Sequence, residues 1–180
     1  TIQVALAGCL SDAGMAKIDQ RLLYKTEPLT EEEFDEIKKH TRYSFEMIPE
    51  HSLLKKETRL AIFQHHERID GSGYPMGNID TKIHAFAKII AVADTFHAMT
   101  SERLYRKKQS PFRVIEQMRQ DHFGKFDLTI LQALSNAITQ YTIGSKIRLS
   151  NGEKAEVLFK EGNASTRPLV KIMESERILD

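Results

Sequence analysis

The chain has 180 residues, 41% of them hydrophobic and 28% charged, with 26 Lys and Arg against 25 Asp and Glu. That length suffices for about one domain with a real core, and the composition argues against a disordered chain. A formal charge of +1 implies no global attraction to nucleic acid, so DNA is not an expected partner, and the single cysteine, Cys9, excludes an internal disulfide framework and fits a reducing compartment.

The chain opens on Thr1 and an apolar run over 2–10, which reads as a buried helix entered partway along a larger protein and ended by Gly14. Residues 17–29 read as a turn region with a short helix. Thr30 followed three residues on by Glu33 is a capping-box signature, and the acids Glu31, Glu32 and Glu33 suit the positive end of a helix dipole. Phe34, Ile37, Phe45, Met47 and Ile48 supply an apolar side to that helix until Pro49. A helix over 56–68, with Leu60, Ile62 and Phe63 inside, stops before a loop enforced by Gly71, Gly73 and Pro75.

Residues 82–100 are apolar on nearly all sides, which predicts the central helix of an all-α bundle. A basic stretch from Arg103 to Lys108 follows. Pro111 opens a helix to about 121, and 127–141 gives a last one. At Ile143-Gly144 the pattern changes to short strand-like runs, 146–149 and 155–159, joined by the turn signal Ser150-Asn151-Gly152-Glu153, with 169–173 as a third. The fold class is therefore mainly α: a helical bundle over 1–141 with a small C-terminal antiparallel β appendage over 142–180. No segment reaches the roughly 18 apolar residues of a membrane span.

Four features carry chemistry. His65 and His66 are adjacent, so on a helix their side chains point about 100° apart; both reach one metal centre only if it is polynuclear or the helix is ending. Asp94 lies in the most apolar helix, where an unpaired carboxylate is costly and a metal ion or cationic partner would resolve that cost. His40 sits three residues after Ile37, near the buried side of its helix, and Asp12 lies beside Gly14 at the end of the first helix. Imidazole and carboxylate together suit Fe, Mn, Zn or Ni. Each residue also has a plain structural reading, as a satisfied core histidine, an Arg-paired acid or a loop carboxylate.

The run His65-His66-Glu67-Arg68-Ile69-Asp70-Gly71-Ser72-Gly73-Tyr74-Pro75 closely resembles the signature of the HD-GYP family, a subgroup of the HD metal-dependent phosphohydrolases. The resemblance extends over about residues 2–140, through Ile37-Lys38-Lys39-His40 and the segment from Ala93 to Arg106. It implies an HD-type helical fold around two or three metal ions, usually iron or manganese, in the bacterial cytoplasm. It also implies hydrolysis of cyclic di-GMP, or of a related cyclic dinucleotide, to linear pGpG or GMP. Carried over residue by residue, the metal ligands fall on Asp12, His40, His65, His66 and Asp94, with Asp12 bridging. Arg103, Arg106 and Tyr74 fall at substrate-binding positions; the guanidinium fork suits phosphate.

The pattern is also broken. The HD dyad reads Ser11-Asp12, and the Lys that follows three residues after that Asp is Met15. A neutral hydroxyl is a poor metal ligand. Two functions follow as expectations: a degenerate signalling domain with a partial metal site, at most one well-occupied ion and weak or no hydrolysis, acting through a cyclic dinucleotide or a protein signalling partner; or an active metal-dependent cyclic di-GMP phosphodiesterase. No particular residue is assigned as catalytic.

Overall fold

A computed structural model describes residues 2–50, 53–102, 109–120, 124–139, 143–149, 151–159 and 168–179. Its helices are α1 (Ile2–Leu10), α2 (Gln20–Leu23), α3 (Glu31–Lys38), α4 (His40–Glu46), α5 (Lys56–Gln64), α6 (Ala85–Thr100), α7 (Pro111–Gln120) and α8 (Leu128–Ile138), with short 3-10 turns at Ala13–Lys17 and Asp80–Lys82. Four strands follow: β1 (Lys146–Arg148), β2 (Lys154–Phe159), β3 (Leu169–Ile172) and β4 (Ile178–Leu179). Among the described residues no helix is long and apolar enough to cross a membrane.

The helical part is organised by α6, which packs against α1, α5, α7 and α8. Its first half joins Ala87 and Ile90 to Ala7, Ile48, Ala61, Ile62 and Ile83. Its second half joins Ala91, Val92 and Met99 to Val114, Met118, Phe126 and Leu131. The expectation of a helix buried on nearly all sides needs one correction, because Ala85, Ile89, Ala93 and His97 form an exposed stripe at i, i+4 spacing.

Two other boundaries differ from the sequence pattern. The helix expected from Thr30 to Pro49 is two, parted at Lys39. There the Thr41 hydroxyl and the His40 imidazole take the carbonyls of Lys38 and Ile37, which a continuous helix would give to backbone N–H groups. The capping box at its start is present, with Thr30 and Glu33 bonded reciprocally. The helix expected to run to 68 ends at Gln64, where the Glu67 N–H bonds the Gln64 carbonyl at 2.8 Å and tightens the last turn. Leu60, expected inside, lies on its outer side, and Phe34 is likewise exposed rather than part of the core.

The strands form one antiparallel meander in the order β1-β2-β3-β4, with Ile147 opposite Ala155 and Val157 opposite Val170. Ala155, Val157, Val170 and Ile172 make an apolar cluster of their own. Gly152, at φ 91°, provides the left-handed turn residue between β1 and β2. Strand β4 was not legible, since two residues show no alternation.

Candidate metal centre

Gly14 brings the start of the site together. The 3-10 turn after α1 lies so close to α4 that a Cβ at Gly14 would overlap the His40 carbonyl and crowd the Ser44 nitrogen. The Gly14 N–H donates to Ser44 Oγ at 2.8 Å, and Ser44 Oγ donates to the Ser11 carbonyl at 2.6 Å. This contact sets Asp12 against the first turn of α4, where His40 points inward.

His65 caps α5 and His66 follows it, so the helix ends where two adjacent imidazoles are needed. The result is a cluster in which one donor atom from each of Asp12, His40, His65 and His66 lies within 4.8 Å of the others. His40 Nε2 and His65 Nε2 are 3.4 Å apart, and Asp12 Oδ1 is 3.4 Å from the first and 3.6 Å from the second. Two ligands on one tetrahedral ion with bonds of ~2.0–2.1 Å stand about 3.4 Å apart. The triangle therefore has the dimensions of one face of a metal coordination shell, and the donor set suits a divalent transition metal.

The tautomers are suited to the task. His40 Nδ1 lies 2.7 Å from the Ile37 carbonyl and His65 Nδ1 lies 2.7 Å from the Ile62 carbonyl. A carbonyl only accepts, so each Nδ1 carries the proton and each Nε2 keeps its lone pair for the cluster. Both rings are buried, at 0% and 1% exposure, whereas the Asp12 side chain is 58% exposed and leaves the cluster open to solvent. The imidazole of His65, with His40 and His66 beyond it, holds the Asp12 carboxyl below the usual range. Burial pushes His66 down to about 2 and lowers His40 as well, so both rings are neutral at ordinary pH.

Asp94 stands outside that triangle. It projects from the middle of α6 with its side chain 31% exposed, 4.0 Å from His66 Nδ1. His66 and Asp94 thus face each other beside the Asp12–His40–His65 group. Ser11, where the family carries its first His, is buried and turns its hydroxyl back to the Gly8 carbonyl at 2.9 Å. Met15 lines an apolar groove with Leu22, Leu29, Phe34 and Ile37. Lys17, the nearest cation in sequence, lies 5.5 Å above the Tyr43 ring.

Tyr74 stacks on His66, centroid to centroid 4.6 Å at 27°, and meets His40 and Phe34 edge-on. Burial raises its phenol pKa above the ordinary value. The loop that carries it is tied down by a residue to which the sequence reading gave no role. Glu67, 2% exposed, accepts the Met76 N–H at 2.8 Å on one oxygen and the Asn78 N–H at 2.9 Å on the other. Its signal was an acid immediately before a glycine-rich loop full of orphan N–H groups. Gly73 lets the loop fold back on His66, since a Cβ there would collide with the His66 carbonyl and the Arg68 nitrogen. Arg103 and Arg106 lie outside the described residues.

Comparison with known proteins agrees with this geometry. The family model described as HD domain matches residues 1–130. A cyclic di-GMP phosphodiesterase of Pseudomonas aeruginosa is 32% identical over 97% of this chain and 42% of its own length. The cyclic di-GMP phosphodiesterase PdeB of Borreliella burgdorferi is 27% identical over 100% and 48%. A 3′3′-cGAMP-specific phosphodiesterase of Vibrio cholerae is 33% identical over 76% and 32%. The chain thus spans less than half the length of these relatives. A solved HDG"Y"P protein of Bdellovibrio bacteriovorus shares the fold, with a TM-score of 0.61 at 20% identity over 76% of this chain and 43% of that one. With the family match over residues 1–130, the chain belongs to the HD domain family, and its run from His65 to Pro75, folded beside the Asp12–His40–His65 cluster, resembles the signature of the HD-GYP group within it.

Proposed function

We propose that this chain is a cyclic-dinucleotide signalling domain that holds one divalent ion on Asp12, His40 and His65, with His66 beside it, and hydrolyses its ligand slowly or not at all. The observation that carries the reading is Ser11. Its hydroxyl is bonded to the Gly8 carbonyl where an imidazole would otherwise stand beside Asp12. The ligand class, cyclic di-GMP or a close relative, is supported by the names of the relatives.

When bound, a divalent ion would supply charge stabilisation at a phosphoryl oxygen and acidify water, but one ion cannot clamp both the attacking and leaving oxygens as a pair does. Iron or manganese is the choice the family implies; the nitrogen and oxygen donors also accommodate zinc or nickel. The chain's own residues do the rest. The Ile37 and Ile62 carbonyls orient two imidazoles, and Tyr74 closes over His66 and borders the substrate. The helical part, 1–141, carries the site in this reading, and 142–180 takes no part in it.

A second reading, an active phosphodiesterase giving pGpG or GMP, is favoured by the facing His66–Asp94 pair, which retains part of a second metal position. Metal analysis of the purified chain, paired with a cyclic di-GMP cleavage assay, decides between them. At most one metal per chain with slow or undetectable cleavage is expected. Two or more fully occupied metals with brisk cleavage would establish the second reading.

A further inference from the structure

Beyond the His66–Tyr74 stack lies a cavity of about 310 Å³, at the small end of the ~300–1,000 Å³ typical of small-molecule sites. Lys38 from the end of α3, Arg68 from the loop after α5, and Lys125 from the turn before α8 all line it, and among the described residues no Asp or Glu does. Three cations drawn from distant parts of the chain repel one another across this space, with Asp70 the acid that acts on both Arg68 and Lys125.

Arg68 is half-buried. Its Nη1 donates to the Glu67 carbonyl at 2.9 Å and reaches the His65 carbonyl at 3.4 Å; its Nη2 reaches Thr95 Oγ1 at 3.4 Å. The guanidinium carbon lies 4.9 Å from the centre of the Phe126 ring. These hydrogen-bond partners are neutral, and the carboxylates of Asp94, Asp70 and Glu67 also act electrostatically on the guanidinium. The Lys125 backbone is fixed to the same loop, because its carbonyl accepts the Ile69 N–H at 3.1 Å. Lys38 is bonded at 2.7 Å to Asp35, whose carboxylate is 67% exposed, and its ammonium stands 4.6 Å from the Phe34 ring centre and 6.0 Å from that of Tyr74.

We infer that this cavity is a phosphate subsite, in which Arg68 with Lys125 and Lys38 receives a phosphate group of a nucleotide whose remainder extends past Tyr74 toward the metal centre. This deepens the cyclic-dinucleotide reading and rests on it for the identity of the ligand. The chemistry is that of a guanidinium fork and two ammonium groups around a phosphate oxyanion, singly charged in a phosphodiester and close to doubly charged in a terminal phosphate such as that of GMP. His66 belongs to both places: it is one of the clustered metal-type donors and a wall of this cavity. A phosphate here would therefore lie within one side chain of the metal position.

The test is calorimetric titration of the metal-loaded chain with GMP, with guanosine and with inorganic phosphate. GMP is expected to bind at least about tenfold more tightly than guanosine, the effect of one charge-assisted contact or more. Lys125→Gln should weaken GMP about three- to tenfold without changing metal content, between the values of an exposed ion pair and a charge-assisted bond. Arg68→Lys should weaken it by about tenfold or more, since the fork is lost while the charge stays. Arg68 also packs on Phe126, so Lys125→Gln and Lys38→Gln keep the test decisive if that variant folds poorly. Equal affinity for GMP and guanosine, no GMP binding, or GMP affinity unchanged in both lysine variants would overturn the inference. GMP binding abolished by His40→Ala yet indifferent to Lys125→Gln would also overturn it, by placing the phosphate on the metal. If inorganic phosphate and GMP depend on Lys125 while cyclic di-GMP neither binds nor is cleaved, the subsite stands and the cyclic-dinucleotide reading falls.

Discussion

His40 and His65 meet Nε2 to Nε2 at 3.4 Å, each held from behind by a backbone carbonyl three residues earlier in its own chain segment. Neither ring has freedom to turn away, and two buried lone pairs facing each other are costly unless a proton or cation lies between them or beside them. The pair is therefore built around a charge that Asp12 helps to hold.

The first prediction follows from that pair. His40→Ala or His65→Ala removes one vertex of the triangle with Asp12 and should lower metal affinity by more than the ~10–100-fold typical of losing a residue that merely supports a ligand. His66→Ala should cost less, because His66 faces Asp94 at 4.0 Å and stands outside the triangle. Competition with a metal chelator, read by metal analysis, ranks the three variants. A loss in His66→Ala larger than that in His40→Ala would show that the ion sits between His66 and Asp94.

A second prediction concerns the loop over the site. Glu67→Ala leaves the Met76 and Asn78 N–H groups without their acceptors and should destabilise the fold by about 3 kcal/mol or more, for two hydrogen bonds to a charged group at ~1.5–3 kcal/mol each. Glu67→Gln retains one carbonyl oxygen but sets an amide NH2 against the other N–H, so its melting temperature should fall between wild type and Glu67→Ala. Gly73→Ala should also destabilise, since its Cβ would collide with backbone rather than with a side chain that can move. Chemical denaturation of the three variants measures the order.

Much of this site was legible from residue types, and the parts that were not share a cause. The adjacent pair His65-His66 raised the question of whether the helix ends there, and it does, at Gln64, one residue before the pair. Asp94 was marked by the cost of a carboxylate in an apolar helix, yet it stands at 31% side-chain exposure beside His66. Periodicity gives the face of a helix but not which faces remain uncovered, as the Ala85–Ile89–Ala93–His97 stripe also shows. Glu67 and Arg68 went unread because their work is done on backbone groups of a loop, and no spacing rule announces which N–H groups a loop will leave orphaned.

A third prediction is a pH dependence away from the metal. Lys25 Nζ bonds both oxygens of Glu33, at 2.7 and 2.6 Å, while Glu33 also accepts the Thr30 N–H. The Lys25 ammonium, with the Thr30 bond second, holds the Glu33 carboxyl below its ordinary 4.5. A carboxylate with a depressed folded pKa contributes stability that is fully present above its unfolded value and is lost as pH falls through the folded one. Glu33→Gln should therefore be less stable than wild type at neutral pH, and the difference should close on acidification below about pH 4.5. Urea titrations at neutral and acidic pH check it; a constant difference would mean that Glu33 acts by shape alone.

The last prediction is restoration. Ser11 and Met15 are the two departures from the family pattern on the turn that carries Asp12. The Ser11 hydroxyl bonds the Gly8 carbonyl, and Ser11 is 5% exposed, so Ser11→His must first displace a packed neighbour. Overpacking of that kind typically costs about 1–3 kcal/mol. Against it stands a new imidazole beside Asp12, near the His66–Asp94 pair, which would complete a second position. Met15→Lys sets a cation in an apolar groove, but its long stem can cover Leu22 and Phe34 while the ammonium turns toward solvent or a bound phosphate. The double variant should thus bind more metal per chain than wild type at equal metal concentration, although it melts at a lower temperature, and cyclic di-GMP cleavage should rise with occupancy. Ser11→His alone should raise metal content with a smaller gain in cleavage, because the phosphate charge still lacks its cation. Metal content unchanged in a folded double variant would mean that the missing imidazole is not what limits this centre.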